Sequence, residues 1–225
     1  MSKDKHIGED VSTIYAHRFK NFEIERDRIW RVLAASYFQM WVRPTDAVLD
    51  IGAGYCEFIN NIEAKEKFAL DVNPMTRLRA VSNVTVSLQD VCRSWPMESE
   101  TIDVAFSSNF FEHLPSKEDL SHCLQESRRV LRHGGLIILM GPNIRFCPGI
   151  YWDFFDHHLP LSDRSMAEAL ELSGFEKRLV IPRFLPFTMS GKRPPAAIFV
   201  RLYLLMPILW RILGKQFLIV AQKRG

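Results

Sequence analysis

The chain has 225 residues, of which 47% are hydrophobic and 24% charged, so it is long enough to bury one substantial core without disulfide or metal staples. Its formal charge is only +3, and Lys and Arg are mixed with Asp and Glu along most of the chain, a pattern that does not indicate nucleic-acid binding. The widely spaced Cys56, Cys92, Cys123 and Cys147 form no CxxC pair, which argues against a zinc site or a disulfide framework.

The N-terminal region predicts a disordered start followed by helix. Residues 1–12 are polar, lack the apolar core of a signal peptide and are expected to be disordered. Apolar residues then recur at helical spacing through residues 14–42, which predicts one or two helices. No uncharged apolar run reaches the roughly 18 residues that a membrane span needs. We therefore expect a single domain over residues 1–225, located in the reducing cytoplasm.

Short β-rich runs then alternate with helical stretches, and this alternation predicts an α/β fold with a mostly parallel sheet. The best predicted helix covers residues 116–135, with Ser116 as its N-cap and Gly134 or Gly135 as its C-terminal stop. A second capped helix is predicted over residues 162–175. The predicted strands are residues 47–51, 67–72, 84–88, 101–108, 135–141, 176–181 and 215–223.

A glycine-containing loop follows the first predicted strand, which ends near Asp50. Gly52 and Gly54 leave bare backbone there, so that N–H groups can approach a ligand without a Cβ in the way. A dinucleotide site requires a third small residue where Glu57 stands, and a carboxylate at that point would repel a diphosphate. The template D-x-G-x-G-x-G fits better, since only its last glycine is replaced, by the small residue Cys56.

The ordered motifs resemble those of the class I S-adenosylmethionine-dependent methyltransferases. The resemblance continues through "DVAFSSNFFEHL", "ESRRVLRHGGLIILMGPN" and the closing "KQFLIVAQK", and covers roughly residues 15–183 plus the last ten. It implies a Rossmann-like fold with a seven-stranded, mostly parallel sheet and an antiparallel last strand. It also implies S-adenosyl-L-methionine as the methyl donor. A helical insertion before the last strand is longer than the short connection common in the family.

The resemblance also implies which residues bind the donor. Asp71 would accept hydrogen bonds from the ribose hydroxyls, and Asp90 would bind the adenine amino group beside a backbone contact from Val91. Arg18 would meet the carboxylate of the donor, with a surface salt bridge as the alternative. The full expected donor-binding set is Tyr15, Arg18, Asp50, Gly52, Ala53, Gly54, Asp71, Val72, Asp90, Val91 and Asn109.

Methyl transfer from a sulfonium mostly requires alignment and exclusion of water, and the acceptor should lie beyond the fourth and fifth strands. His113 follows the fourth strand, either as a general base or as an orienting residue. His158 is the expected base of an O-methylation, oriented by Asp153 or Asp156, with a structural turn as the alternative. Since His157 and His158 are neighbours, one should point away from the other, and they cannot easily converge on one ion. No metal site is therefore expected.

Segments 142–160 and 184–213 are expected to cover the acceptor side. If residues 196–213 are helical, Pro207 should kink the helix, and its large apolar surface needs burial against the domain, another subunit or a membrane interface through residues 194–213. The region from "YWDFFDHH" onward also resembles bacterial methyltransferases of cell-surface polysaccharide biosynthesis, which implies a small-molecule, glycan or lipid-linked acceptor. The alternatives are a nicotinamide-dependent oxidoreductase and a non-catalytic membrane- or partner-binding module of the same fold.

Overall fold

The computed structural model describes residues 13, 23–187 and 196–225. It contains a seven-stranded sheet in the order β3-β2-β1-β4-β5-β7-β6. All pairings between neighbouring strands recorded for β1 to β5 are parallel, whereas β7 runs antiparallel to both β5 and β6. The predicted Rossmann-like methyltransferase fold is thus confirmed. The strands are β1 (Ala47–Ile51), β2 (Glu66–Asp71), β3 (Val84–Leu88), β4 (Ile102–Ser108), β5 (Leu131–Pro142), β6 (Phe175–Ile181) and β7 (Gln216–Lys223).

The helices begin where the sequence supplies side-chain caps. Ser116 accepts a hydrogen bond from the Asp119 N–H, and Ser162 forms a reciprocal capping box with Ser165, so both predicted N-termini are confirmed. Short 3₁₀ turns cover Phe38–Trp41 and Phe111–His113. The α-helices are α1 (Glu23–Ser36), α2 (Glu57–Asn61), α3 (Pro74–Arg79), α4 (Lys117–Val130), α5 (Pro148–Tyr151), α6 (Asp163–Leu172), α7 (Ala197–Leu204) and α8 (Pro207–Leu213).

The predicted glycine stop of α4 is wrong, because this helix ends at Val130. Leu131 is already extended, fully buried and paired with Ile102 of β4. Burial of this leucine in the sheet therefore outweighs the helical preference of the residues that follow it. Gly134 instead adopts a left-handed backbone with φ of 73°, close to the register shift between β4 and β5.

The described chain falls into two compact units, each with its own core. The first unit comprises residues up to Val91 together with the segment that ends at Pro207. Its strand β1 is buried at every position, and α7 lies against α1. Phe38 is fully buried and makes aromatic contacts with Trp30 of α1 and Phe58 of α2, so it joins these two helices.

The second unit comprises residues 92–187 and 208–225. The central strand β7 is buried along almost its whole length, as expected for a strand between two neighbours. Trp210 of α8 packs edge-on against Phe184, and the Arg183 guanidinium donates to the carbonyls of Ile212 and Gly214 at the end of that helix. The single-domain organisation stays a prediction.

The predicted helical insertion before β7 is confirmed within residues 196–213, and it is divided into α7 and α8. The division falls at Pro207, as predicted, because proline lacks the N–H of an interior helical residue and its ring clashes with the preceding turn. Within the ranges that the structure describes, no helix is both long and apolar enough to cross a membrane.

Gly214 provides a test of the close packing around the end of α8. A Cβ at this position would lie 2.5 Å from the Trp210 carbonyl oxygen and 2.7 Å from that of Arg183. We expect Gly214→Ala to lower the free energy of unfolding by about 2 kcal/mol, because backbone atoms must move apart. Gly149→Ala is the control, since its added Cβ would meet nothing within 4 Å. Equal unfolding midpoints of the two variants in denaturant would contradict this account.

Candidate active site

The loop after β1 turns through three residues with left-handed backbones. Gly52 and Gly54 have φ of 69° and 52°, which glycine adopts without steric cost. Cys56 has φ of 63° and forms the N-cap of α2, so the cysteine in the last glycine position of the template does start the helix as expected. Its thiol is fully buried and contacts the Thr76 carbonyl oxygen at 3.5 Å. Burial strongly raises the pKa of this thiol.

The N–H groups of this loop are used inside the protein. Gly52 and Ala53 both direct their N–H groups to the Leu70 carbonyl oxygen, at 2.9 and 3.4 Å. Gly54 donates to the Asp71 carboxylate at 2.7 Å. The expectation that these amides face a ligand is therefore corrected. What these positions require of glycine is the left-handed backbone, and the absence of a Cβ leaves the loop backbone bare.

Asp71 ends β2 with its carboxylate held from two sides. One oxygen accepts from Gly54 and the other accepts from the Asn73 N–H at 2.7 Å. Burial raises the pKa of Asp71, and hydrogen bonds from the backbone of Asn73, Gly54 and Val72 oppose that rise. Each carboxylate oxygen can accept more than one hydrogen bond, so the fixed carboxylate can still bind the hydroxyls of a ribose.

The buried acids of the first unit favour a cationic ligand over an anionic one. Asp50 is 3% exposed, and its pKa is raised well above its ordinary value by burial and then by the charges of Asp71 and Glu57. A cationic ligand would relieve this mutual repulsion, whereas a diphosphate would add to it. The residues therefore fit S-adenosylmethionine, which carries a sulfonium and an ammonium group, better than they fit a nicotinamide dinucleotide.

The other expected donor contacts of the first unit lie near the ends of β2 and β3. Val72 is half-buried directly after β2, and Gln89 donates its backbone N–H to the Asp71 carbonyl oxygen at 3.0 Å. This bond draws the start of the following loop toward β2. Asp90 is half-buried there and Val91 is buried. Their proposed adenine contacts stay predictions.

Three expected contacts remain. Asn109 follows β4 in the second unit with φ of 50°, and its side-chain amide donates to the Ser108 hydroxyl at 2.9 Å. Its backbone N–H donates to the Met140 carbonyl oxygen, which fixes the residue against β5. Its role in donor binding stays a prediction. Tyr15 and Arg18 lie outside the described residues.

A polar cluster forms in the second unit just after β4. The 3₁₀ turn Phe111–His113 places Glu112 inside, with 2% of its surface exposed, and His113 at the edge. The Nδ1 atom of His113 lies 2.9 Å from the Asp156 carbonyl oxygen and 3.2 Å from its carboxylate. The other ring nitrogen, Nε2, lies 4.0 Å from the Glu112 carboxylate. His113 is thus held between two acids.

The two neighbouring histidines separate as predicted. The backbone N–H groups of His158 and Leu159 both donate to the Glu112 carbonyl oxygen, at 2.8 and 3.1 Å. This attachment leaves His158 exposed and turns His157 inward, 7% exposed, with its ring stacked on Phe154. The inward histidine is therefore not the one expected to act as the base.

The orienting carboxylate also has a different partner from the expected one. Asp156 was expected to orient His158, but it pairs with His113 through both its backbone and its side chain. Asp153, the other expected orienter, is exposed. The contact with Asp156 depends on the turn that packs residues 151–159 against the segment after β4, and sequence spacing does not report such a contact.

The acids around His113 shift the titration of the cluster. Burial raises the pKa of Glu112 to about 7, and the Asp156 charge adds to this rise while His113 opposes it. Burial alone would lower the pKa of His113, but the hydrogen bond with Asp156 and the charges of Glu112 and Asp156 outweigh it. The pKa of His113 is therefore raised above its ordinary value, as expected for an imidazole flanked by carboxylates.

Glu112 and His157 are members of the cluster that sequence reasoning did not select. Glu112, His113 and His157 each place a potential metal-ligating atom within 4.8 Å of the others. The motifs "FEH" and "DHH" that supply them are separated by 42 residues, Leu114–Phe155. Their spacing in the sequence does not indicate that they lie close together, and only the fold brings them together.

Comparison with known proteins identifies the domain. A family model described as a methyltransferase domain matches residues 49–139, which include the acidic glycine loop, Asp71 and the turn after β4. No curated protein sequence matches this chain. A methyltransferase domain of this family implies S-adenosylmethionine as the methyl donor.

Solved structures share the fold over nearly the whole chain. A chain in the complex between the Haloferax volcanii Trm112 methyltransferase activator and a methyltransferase aligns with a TM-score of 0.71 at 19% identity, covering 97% of this chain and 98% of that chain. An S-adenosylmethionine-dependent methyltransferase from Archaeoglobus fulgidus aligns at 0.64 and 19% identity, covering 88% and 94%. One from Thermotoga maritima aligns at 0.65 and 16% identity, covering 96% and 99%. At these identities the likeness shows the fold alone.

The donor site is tested by Asp71→Asn, which removes the charge and keeps the shape. We expect the dissociation constant for S-adenosylhomocysteine to rise at least about tenfold, because charge-assisted hydrogen bonds to the ribose hydroxyls are lost. Isothermal calorimetry measures this change. Asp46→Asn is the matched control, since Asp46 is another buried carboxylate of the first unit, bonded to the Arg43 N–H. An unchanged constant in Asp71→Asn, or tight binding of NAD by the wild type, would overturn the assignment.

Proposed function

Because this chain carries an S-adenosylmethionine-dependent methyltransferase domain, we propose that it methylates a lipid-linked glycan at the surface of an anionic membrane. The observation that carries this proposal is the exposed apolar face of α7, which lies in a strongly basic part of the chain. The choice of a glycan follows the resemblance of residues 151–223 to methyltransferases of bacterial cell-surface polysaccharide biosynthesis.

The helix α7 packs only one of its faces. Val200 and Leu204, one turn apart, are buried at the face that lies toward α1. Phe199 is 63% exposed and Leu205 74% exposed. The large apolar side chains left in solvent along this helix and its C-terminal end are Ile198, Phe199, Leu202, Leu205 and Met206. Covering each of them would contribute about 1.5 to 3 kcal/mol, so a contiguous set of this size indicates a binding surface.

The composition of this part of the sequence favours an anionic partner. No acidic residue follows Glu176, so the expected mixing of charges holds only for the first 176 residues, which contain all 26 acidic and 19 of the 29 basic residues. Arg201 of α7 is itself exposed. The basic residues after Glu176 are Lys177, Arg178, Arg183, Lys192, Arg193, Arg201, Arg211, Lys215, Lys223 and Arg224.

A lipid surface suits this combination of apolar and basic groups. An amphipathic helix can place its apolar side chains at the boundary of headgroups and acyl chains while arginine stems reach the phosphates. The contact would be interfacial, since no helix in the described ranges could span a membrane. An acceptor attached to a lipid would be concentrated at the same surface, which gives the enzyme its substrate and its location together.

The acceptor hydroxyl would be activated at the cluster after β4. Asp156 fixes the ring of His113, so its Nε2 is presented in one orientation. An acceptor hydroxyl bound there would lose its proton to Nε2 of His113. Methylation of the oxygen would break the carbon–sulfur bond of the donor and release S-adenosylhomocysteine. The exposed His158 would contact the acceptor beside His113.

The membrane contact is tested by flotation with lipid vesicles. We expect the full chain to float with vesicles that contain phosphatidylglycerol and to float several-fold less with pure phosphatidylcholine. The double change Phe199→Ser and Leu202→Ser should abolish flotation, because it removes apolar area from the exposed face. Leu172→Ser is the control, since this leucine of α6 is 84% exposed elsewhere on the chain. The proposal fails if the control and the double variant lose flotation equally, or if the wild type does not float.

The reaction is tested with radiolabelled S-adenosylmethionine and fractionated bacterial lipids, sugars and proteins. We expect label in the lipid-linked glycan fraction. His113→Gln should lower kcat about a hundredfold with little change in KM for the donor, because the activating group is lost while donor binding remains. His133→Gln, at an exposed position paired with Glu100, is the control. Label confined to water-soluble molecules would refute the lipid-linked acceptor, and no label in any fraction would favour a non-catalytic module.

A further inference from the structure

We infer that Glu112, His113 and His157 bind a divalent first-row transition-metal ion. Each residue places one potential ligating atom within 4.8 Å of the other two. Two imidazoles and one carboxylate form a donor set that suits ions such as zinc, cobalt or ferrous iron, and it leaves coordination positions open. In the described chain this group is assembled from the turn after β4 and the turn before Leu159.

The ring of His113 is held in the form that a metal requires. The Asp156 carbonyl oxygen, which can only accept, lies 2.9 Å from Nδ1, so Nδ1 carries the hydrogen and donates. A neutral ring then presents its lone pair at Nε2, the atom 4.0 Å from the Glu112 carboxylate. A carboxylate or carbonyl oxygen behind a ligating histidine is the usual outer partner of a metal site, and Asp156 supplies both.

A bound ion would also explain why the Glu112 carboxylate is buried. Glu112 is 2% exposed and His157 is 7% exposed, so charge on the carboxylate is poorly solvated. A lone pair at Nε2 facing that carboxylate is unfavourable unless a cation or a proton lies between them. Ligating atoms around a tetrahedral ion are about 3.4 Å apart, given bonds of about 2.1 Å, so atoms that lie within 4.8 Å of one another must draw together by at most about 1.4 Å.

The backbone keeps the ligands in register. The N–H groups of His158 and Leu159 both donate to the carbonyl oxygen of Glu112, so the residue that supplies the carboxylate also anchors the segment that supplies His157. Tyr151 packs edge-on against the His157 ring and bonds through its hydroxyl to Leu159 and Leu161. The histidine is therefore confined from two sides.

The role of the ion rests on the proposed function, whereas its binding does not. With the ion bound, Nε2 of His113 would be a ligand and not a base, and the ion would act as a Lewis acid that lets a bound acceptor hydroxyl release its proton to solvent at neutral pH. The methyl–sulfur bond would break with its electrons on sulfur, so no oxidant or reductant is needed. The cluster would thus act as a Lewis acid for the acceptor.

The test uses untagged full-length protein, stripped of metals with a chelator and titrated with Co²⁺ without donor or acceptor. We expect one Co²⁺ per chain with visible ligand-field absorption, displaced by Zn²⁺. Glu112→Gln and His157→Gln should each weaken binding at least tenfold. Asp156→Asn should weaken it about ten- to a hundredfold and keep the same absorption bands, since only the outer partner changes. His133→Gln, an exposed histidine, is the control for adventitious binding.

The inference is overturned if the wild type binds no stoichiometric Co²⁺, or if Glu112→Gln and the wild type bind it equally. In those cases a shared proton, not a metal, occupies the cluster. Circular dichroism checks the fold of each variant, and His157→Gln decides the matter if Glu112→Gln does not fold. The titration contains no methyl donor, so a failure to bind metal would not count against the proposed methyl transfer. In the same way, an absence of labelled product in the methylation assay would not count against the metal site.

Discussion

The hydrogen bond from the Gly54 N–H to the Asp71 carboxylate is the constraint on which the donor site depends. It links the loop after β1 to the end of β2, and it leaves the loop with bare backbone rather than free amides facing the ligand. Burial raises the pKa of Asp50, and the charge of the same carboxylate adds to this rise, so a cation near the loop would be favoured. These buried and mutually close acids are the basis of the proposed recognition of a sulfonium.

Backbone hydrogen bonds also organise the polar cluster after β4, where the acceptor is proposed to bind. The carbonyl oxygen of Glu112 accepts two N–H groups from the turn that contains His157 and His158, and this determines which ring turns inward. Asp156 then orients His113 from behind. In each unit a backbone N–H group fixes the position of an acidic residue, Asp71 in the first unit and Glu112 in the second. The chemistry proposed for each site uses the acid in that position.

The apolar face of α7 and the basic C-terminal part of the chain connect the chemistry to a location. In the proposed function, a membrane interface would cover the exposed side chains and bring a lipid-linked acceptor to the enzyme, so one surface would serve both binding and specificity. The family match and the similar structures concern the domain and its fold, and they leave the acceptor to residues outside the donor loop. Acceptor recognition therefore has to be read from the C-terminal half.

The sequence by itself determined the features that local interactions control. Alternating strands and helices, the caps at Ser116 and Ser162, the break at Pro207 and the acidic glycine loop each depend on neighbours within a few residues. The end of α4 was mispredicted because burial of Leu131 against β4 is a long-range effect. Only the tertiary structure decided that Asp156 faces His113 and that Glu112, His113 and His157 converge. Such contacts join segments more than 40 residues apart, and their energy comes from packing that no local spacing encodes.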